Sequence, residues 1–154
     1  MSVADARVTR IVALFEQLSA RDVARLGEFY AADARFKDPF NDVAGLEAIQ
    51  RVFAHMFEAL DDPRFVVRDA VAAGDQCLLT WDFHFRFKAL ARAPQCVHGA
   101  THLRFDATDR IALHRDYWDP AEEVYEKLPL LGTLMRWLKR RGATPQRSQP
   151  LRRK

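Results

Sequence analysis

Apolar residues recur at helical spacing near the start of the chain. Val8, Ile11, Val12, Leu14, Phe15 and Leu18 share one face, and Val23, Leu26, Phe29 and Tyr30 follow after a polar break. The pattern predicts two helices joined through Ser19 and Arg21, with Asp22 placed to cap the second. ARFKDPF, residues 34–40, reads as a short strand stopped by Pro39, and NDVAG after it as a turn. LEAIQRVFAHMFEAL, residues 46–60, sets Leu46, Ile49, Val52, Phe53, Met56, Phe57 and Leu60 on one helical face and ends at DDP. From Pro63 the period falls to two. Segments 64–73, 76–88, 96–106 and 110–118 are rich in Val, Phe, Leu, Ile, Trp and Thr and are separated by AGDQ, ARAPQ and ATD. Four strands in succession imply an antiparallel meander. Helical spacing resumes in DPAEEVYEKLPLLGTLMRWLKRR, interrupted by Pro129 and Gly132. The order of elements predicts an α+β fold in which helices cover one face of a sheet, with room for a cavity between the layers.

A chain of 154 residues, 49% apolar, suits one domain, set at residues 1–141 with a C-terminal helical extension. GATPQRSQPLRRK, residues 142–154, is polar and basic, and its composition predicts a disordered tail. The net charge of +3 hides an asymmetry. Residues 136–154 carry eight Lys or Arg and no acid, leaving 16 cations against 21 anions before them, a balance of −5. An acidic body argues against nucleic acid as a partner. The amphipathic, basic LLGTLMRWLKRR suggests packing against the domain ahead of contact with an anionic membrane. No signal-like start and no long apolar run are present, which places the chain in the cytoplasm, with Cys77 and Cys96 as thiols. No Gly-rich phosphate loop and no cysteine cluster occur, so no cofactor and no metal are expected.

The chemistry concentrates in two strands. LTWDFHFRF alternates Trp81, Phe83, Phe85 and Phe87 with Thr80, Asp82, His84 and Arg86. In isolation this puts aromatics in the core and charges in water. HRDYWD, residues 114–119, makes His114, Asp116 and Trp118 co-facial. His98 and His102, four apart on a strand, are read as outward residues, and His55 as a helix-flank residue. A metal site of His84, His114 and one aspartate is a minor alternative.

LSARDVARLGEFYAADARFKDP, residues 18–39, resembles the segment leading to the catalytic aspartate of ketosteroid isomerases. HRDYWDPAEEVYEKLPL, residues 114–130, resembles the last strand and following segment of limonene epoxide hydrolases. Both belong to the nuclear transport factor 2-like (NTF2-like) superfamily, which also holds SnoaL-like polyketide cyclases. The resemblance implies a cone in which N-terminal helices pack on a curved, mixed, mainly antiparallel sheet enclosing a pocket, and a homodimer formed through the sheet's outer face. It turns the strand reading around: the hydrolases' catalytic positions fall on Asp82 and His84, with a third on Asp116, so the charged face would line the pocket and the aromatic row the dimer surface. It also places the isomerase base on Asp38 and its second oxyanion donor on Thr101. The chain departs from both patterns. Leu14 replaces the isomerase tyrosine, and Phe36 and Asp38 replace a tyrosine and an asparagine of the hydrolases.

The resulting expectation is a catalytic set of Asp116, Asp38, His84 and Asp82, with Asp116 as first choice of base. His114, Trp118, Thr101, Phe36 and Leu14 would bind substrate, and Arg86 would stand at the pocket mouth. Carboxylates and imidazoles titrating together in one cavity can supply both acid and base near neutrality. The function implied is a cofactor-independent isomerase, hydratase or hydrolase acting on a small, largely apolar organic molecule. The alternative is a non-catalytic protein that binds such a molecule.

Overall fold

The computed structural model describes residues 5–88, 93–123, 133–134 and 136–137, and the chain divides into two compact units, Met1–Asp119 and Pro120–Lys154. In the first unit, α1 (Ala6–Gln17) starts where the Asp5 carboxylate accepts the Arg7 backbone N–H at 2.9 Å, and it buries Ile11, Leu14 and Phe15. The second predicted helix is a 3₁₀ helix, Ala20–Glu28, a winding that apolar spacing over nine residues does not distinguish from α. Asp22 Oδ2 ties its start by accepting the Ser19 N–H at 2.9 Å and the Ser19 hydroxyl at 2.6 Å.

Next come β1 (Tyr30–Lys37), β2 (Asp42–Ala44), α2 (Leu46–Ala59), β3 (Leu60–Ala73), β4 (Gln76–Phe87), β5 (Gln95–Phe105) and β6 (Ile111–Tyr117). The NDVAG segment therefore contributes a three-residue strand as well as a turn. The six strands form one sheet in the order β2-β1-β6-β5-β4-β3. β1 runs parallel to β6, and the remaining pairings are antiparallel. The antiparallel meander of β3 to β6 is as the periodicity predicts, and the mixed sheet is as the resemblance implies.

The core corrects one expectation at its root. Cys77, Leu79, Trp81 and Phe85 of β4 are buried against the helices, with Phe83 half-buried among them. Phe65 of β3 stacks on Phe83 at 4.3 Å and meets Trp81 edge-on at 5.4 Å, while Phe15 of α1 reaches Phe65 at 6.3 Å. Asp82, His84 and Arg86 alternate with these and occupy the opposite, outer face. Hydrophobic burial decides the matter: each large aromatic is worth about 1.5–3 kcal/mol inside rather than outside. Matching two period-2 strands one residue out exchanges every side chain between faces, so the resemblance could not overrule the pattern. The aromatic row that motivated a dimer is thus core. The outer face exposes Val71, Leu78 and Tyr117 instead.

Trp81 stands opposite Gly99 of β5, and its indole lies where a side chain at position 99 would be: a Cβ there would sit 2.3 Å from Trp81 Cη2. In the second unit, Pro120–Glu123 is a short helix, α3, and residues 133–134 and 136–137 are helical, with Leu134 and Trp137 exposed. The predicted tail at 142–154, and Leu130, Leu131, Met135 and Leu138 of the predicted C-terminal helix, lie outside the described residues. No described helix is long and apolar enough to cross a membrane.

Candidate functional site

Antiparallel pairing of β5 and β6 sets Thr101 opposite Asp116 and Leu103 opposite His114, all four on the inner face. Because β1 runs beside β6, Tyr30 and Phe36 reach the same region. The outcome is a continuous hydrogen-bonded chain. Trp81 Nε1–H donates to Thr101 Oγ1 at 2.8 Å, and Thr101 donates to Asp116 Oδ1 at 2.5 Å. The same oxygen lies 2.8 Å from His114 Nε2, and His114 Nδ1 lies 2.7 Å from the Tyr30 hydroxyl. A carboxylate only accepts, so His114 Nε2–H donates to Asp116, while the Nδ1 edge of the ring is held by the Tyr30 hydroxyl. Burial, and after it the Asp116 charge, push the Tyr30 phenol well above its usual range, which keeps the hydroxyl protonated.

His114 is enclosed by rings: Phe36 at 4.6 Å, Phe15 at 5.6 Å, Tyr30 at 6.0 Å and Phe53 at 6.4 Å. Beside it is a cavity of about 20 Å³, bounded by Phe15, Phe53, Phe65, Val67 and Trp81 and on its polar side by Thr101, His114 and Asp116. That volume suits roughly one water molecule. The Asp116 side chain keeps 16% of its surface accessible, against 4% for His114. Among the described residues Oδ1 takes both hydrogen bonds and Oδ2 takes none. Asp116 is therefore a carboxylate held through one oxygen at the edge of a small, aromatic-walled space.

Of the expected site residues, the structure brings Asp116, His114 and Thr101 together, with Phe36 against the imidazole. It separates the rest. Asp82 is on the outer face, where it bonds Arg68 Nε at 2.6 Å through Oδ2 and His98 Nδ1 at 2.6 Å through Oδ1. Its pKa is lowered by the His98 and Arg68 hydrogen bonds. His84 and Arg86 border an open groove at the end of β4, shared with Asp62, Arg64, Phe85 and the α1 end at Glu16, Gln17 and Leu18, and Arg86 pairs with Asp62 at 3.0 Å. His84 and His114 thus lie on opposite faces, which removes the two-histidine metal alternative. Asp38 is committed to its own turn: its Oδ1 accepts the Phe40 and Asn41 backbone N–H groups at 2.7 and 2.6 Å. Leu14 faces a groove between α1 and the 3₁₀ helix, and Trp118 packs on Phe40 at 5.3 Å; neither bounds the cavity.

Two members of the network escaped the sequence reading. Tyr30 reads as the end of a helix but opens β1, and a register shift between Tyr30 and Arg35 breaks the alternation that would have assigned its face. Trp81 was assigned outward with its row. Among the described residues, the grouping of metal-ligating side chains, Asp82, Cys96 and His98, is on the outer face and apart from this network.

The model of the SnoaL-like domain matches residues 11–114. The chain belongs to the SnoaL-like domain family. No curated protein matches it in sequence. Solved structures similar to this SnoaL-like chain share the NTF2-like fold. A protein with a ketosteroid isomerase-like fold from Catenulispora acidiphila DSM 44928, in complex with trimethylamine, is 24% identical, with 82% of this chain and 96% of that one covered at a TM-score of 0.69. An NTF2-like protein of unknown function from Burkholderia pseudomallei K96243 is 15% identical over 77% and 95%, at 0.66. An LEH-like epoxide hydrolase from M. tuberculosis is 16% identical over 86% and 96%, at 0.65. At these identities the likeness concerns the fold.

Proposed function

We propose that this SnoaL-like protein is a cofactor-independent acid–base enzyme acting on a small, largely apolar molecule, with Asp116 as the general base. The observation that carries the reading is the asymmetry of that carboxylate, which lines an apolar cavity: Oδ1 is held by Thr101 and His114, while Oδ2 takes no hydrogen bond among the described residues. A base must sit within hydrogen-bond reach of the proton it takes and must not turn away, and two donors on one oxygen provide that constraint. His114, itself fixed by Tyr30, is a positioning residue. A cavity of about one water beside the base favours water addition, hydratase or hydrolase chemistry, within this class.

The test is to incubate the protein with a panel of small epoxides and α,β-unsaturated ketones, follow products by mass spectrometry, and follow binding by the shift in melting temperature. Turnover that disappears in Asp116→Asn while the melting shift persists supports the assignment. Turnover undiminished in Asp116→Asn, or none from the wild type with compounds that bind, would sink it.

One observation favours a second reading, a non-catalytic binding protein. Aromatic rings facing a carboxylate suit a small amine cation, and the Catenulispora protein is in complex with trimethylamine. Calorimetry with trimethylamine separates the two, because a binder would take up the amine, lose affinity in Asp116→Asn, and turn over nothing in the panel.

A further inference from the structure

The outer face of the sheet carries a cluster that plays no part in the inner network. On β4, Asp82 and His84 are two residues apart; on β5, so are Cys96 and His98. The register pairs Asp82 with His98 and His84 with Cys96. Four side chains of metal-ligating type therefore occupy the corners of one cross-strand square on one face, where directly opposed Cβ atoms stand about 5 Å apart. Ligand atoms of Asp82, Cys96 and His98 already lie within 4.8 Å of one another. We propose that Asp82, Cys96 and His98 form a binding site for a divalent transition-metal ion of the zinc class, with a fourth coordination position left open.

The donor set selects the ion. One thiolate, one imidazole and one carboxylate suit zinc in tetrahedral geometry and are poor for magnesium or calcium, which take oxygen ligands. Three protein ligands with an exchangeable fourth position is the arrangement of catalytic rather than closed structural zinc sites. His84 stands opposite Cys96 in the register, outside the group of three.

The surroundings fit ligation. Asp82 is 9% exposed, and Arg68 holds its Oδ2, which leaves Oδ1 turned to His98 Nδ1 at 2.6 Å. A ligating carboxylate is commonly hydrogen-bonded through its second oxygen in this way, and the contact fixes its direction. The Arg68 cation opposes a second positive charge and sets an upper limit on affinity. Cys77 and Cys96 are not joined in a disulfide, and Cys77 is buried on the inner face, so it cannot substitute. On binding, the Cys96 thiol loses its proton to solvent, and His98 ligates through the Nδ1 lone pair with its proton on Nε2. One proton is released per metal from a neutral His98, and affinity strengthens as pH rises.

Cobalt(II) is the spectroscopic probe. The full-length, untagged, reduced protein, stripped with chelator, is titrated with cobalt(II) and then with zinc(II). The expected result is one cobalt per chain, with a thiolate-to-cobalt charge-transfer band and visible bands of tetrahedral intensity, both removed by zinc. Cys96→Ser should abolish the charge-transfer band and Cys77→Ser should keep it. His98→Ala and Asp82→Ala should each weaken binding about tenfold or more. His98 is exposed, so loss of binding there is not a folding defect, and circular dichroism checks each variant. Absence of the band in the wild type, its survival in Cys96→Ser, or unchanged affinity in both His98→Ala and Asp82→Ala overturns the proposal.

Discussion

Substituting Gly99 with alanine tests whether the inner network depends on close packing between β4 and β5. The added Cβ would lie 2.3, 2.5 and 2.7 Å from Trp81 Cη2, Cζ2 and Cζ3, all atoms of the six-membered indole ring. Trp81 is 6% exposed and packs edge-on against Phe65, so it cannot swing out to solvent. To reach ordinary contact the ring must retreat by about 1 Å into a filled core, a kind of overpacking that costs about 1–3 kcal/mol. Such a retreat stretches the 2.8 Å bond from Nε1 to Thr101, worth a further ~0.5–1.5 kcal/mol. Together about 2–4 kcal/mol should be lost, and Tm should fall by roughly 4–16 °C for a chain of this size. Urea unfolding followed by far-ultraviolet circular dichroism measures the loss. The double variant with Trp81→Phe isolates the cause. Phenylalanine lacks the fused ring, so Gly99→Ala should cost far less in that background. A loss below about 0.5 kcal/mol, or an equal loss in both backgrounds, would refute the packing argument.

Three other substitutions probe the polar groups. Tyr30→Phe leaves His114 Nδ1 buried without its hydrogen-bond partner and should cost about 1–3 kcal/mol near neutral pH. Because the Tyr30 pKa is raised in the folded protein, its contribution is complete below the unfolded value of about 10 and is lost as pH rises above it, so the gap between wild type and Tyr30→Phe should close in alkali, as urea unfolding at several pH values would show. Thr101→Val removes the acceptor of the Trp81 N–H and one donor to Asp116; a stability loss of about 1–3 kcal/mol is expected by the same assay, and in an active enzyme a fall in kcat larger than any change in KM. Asp82 has a lowered pKa, so the advantage of wild type over Asp82→Asn should be full at pH 6 and shrink as pH falls below about 4, in urea titrations across that range.

Periodicity located the long elements and placed His114 and Asp116 on one face of β6; the resemblance turned that face inward, and the β5–β6 register sets Asp116 opposite Thr101. The same principle read Trp81 and Phe83 correctly while it stood alone. It was overridden when the resemblance assigned function to Asp82 and His84, although alternation of aromatic and charged residues is a direct consequence of burial and alignment at low identity is not. Tyr30 was illegible for another reason. Its place at the head of β1 depends on a parallel partner in the distant β6 and on a register shift, and neither leaves a local signature. The square of Asp82, His84, Cys96 and His98 was visible only as two x-spaced pairs in separate strands until the β4–β5 register aligned them.

The parallel pairing of β1 with β6 also orders events in time. Strands β3 to β6 form a meander of neighbours that can zip locally, but β1 has to wait for the strand that ends the sheet's sequence, and Tyr30 meets its histidine across 84 residues of chain. Long-range closure of this kind is slow compared with hairpin formation. During synthesis α1 leaves the ribosome before β3, whose Phe65 meets Phe15, and β1 before β6, so Tyr30 is without its histidine until β6 has emerged. The hydrogen-bonded network is therefore assembled at the end of folding, and a chain truncated before residue 111 would lack both the network and the strand that joins its two halves.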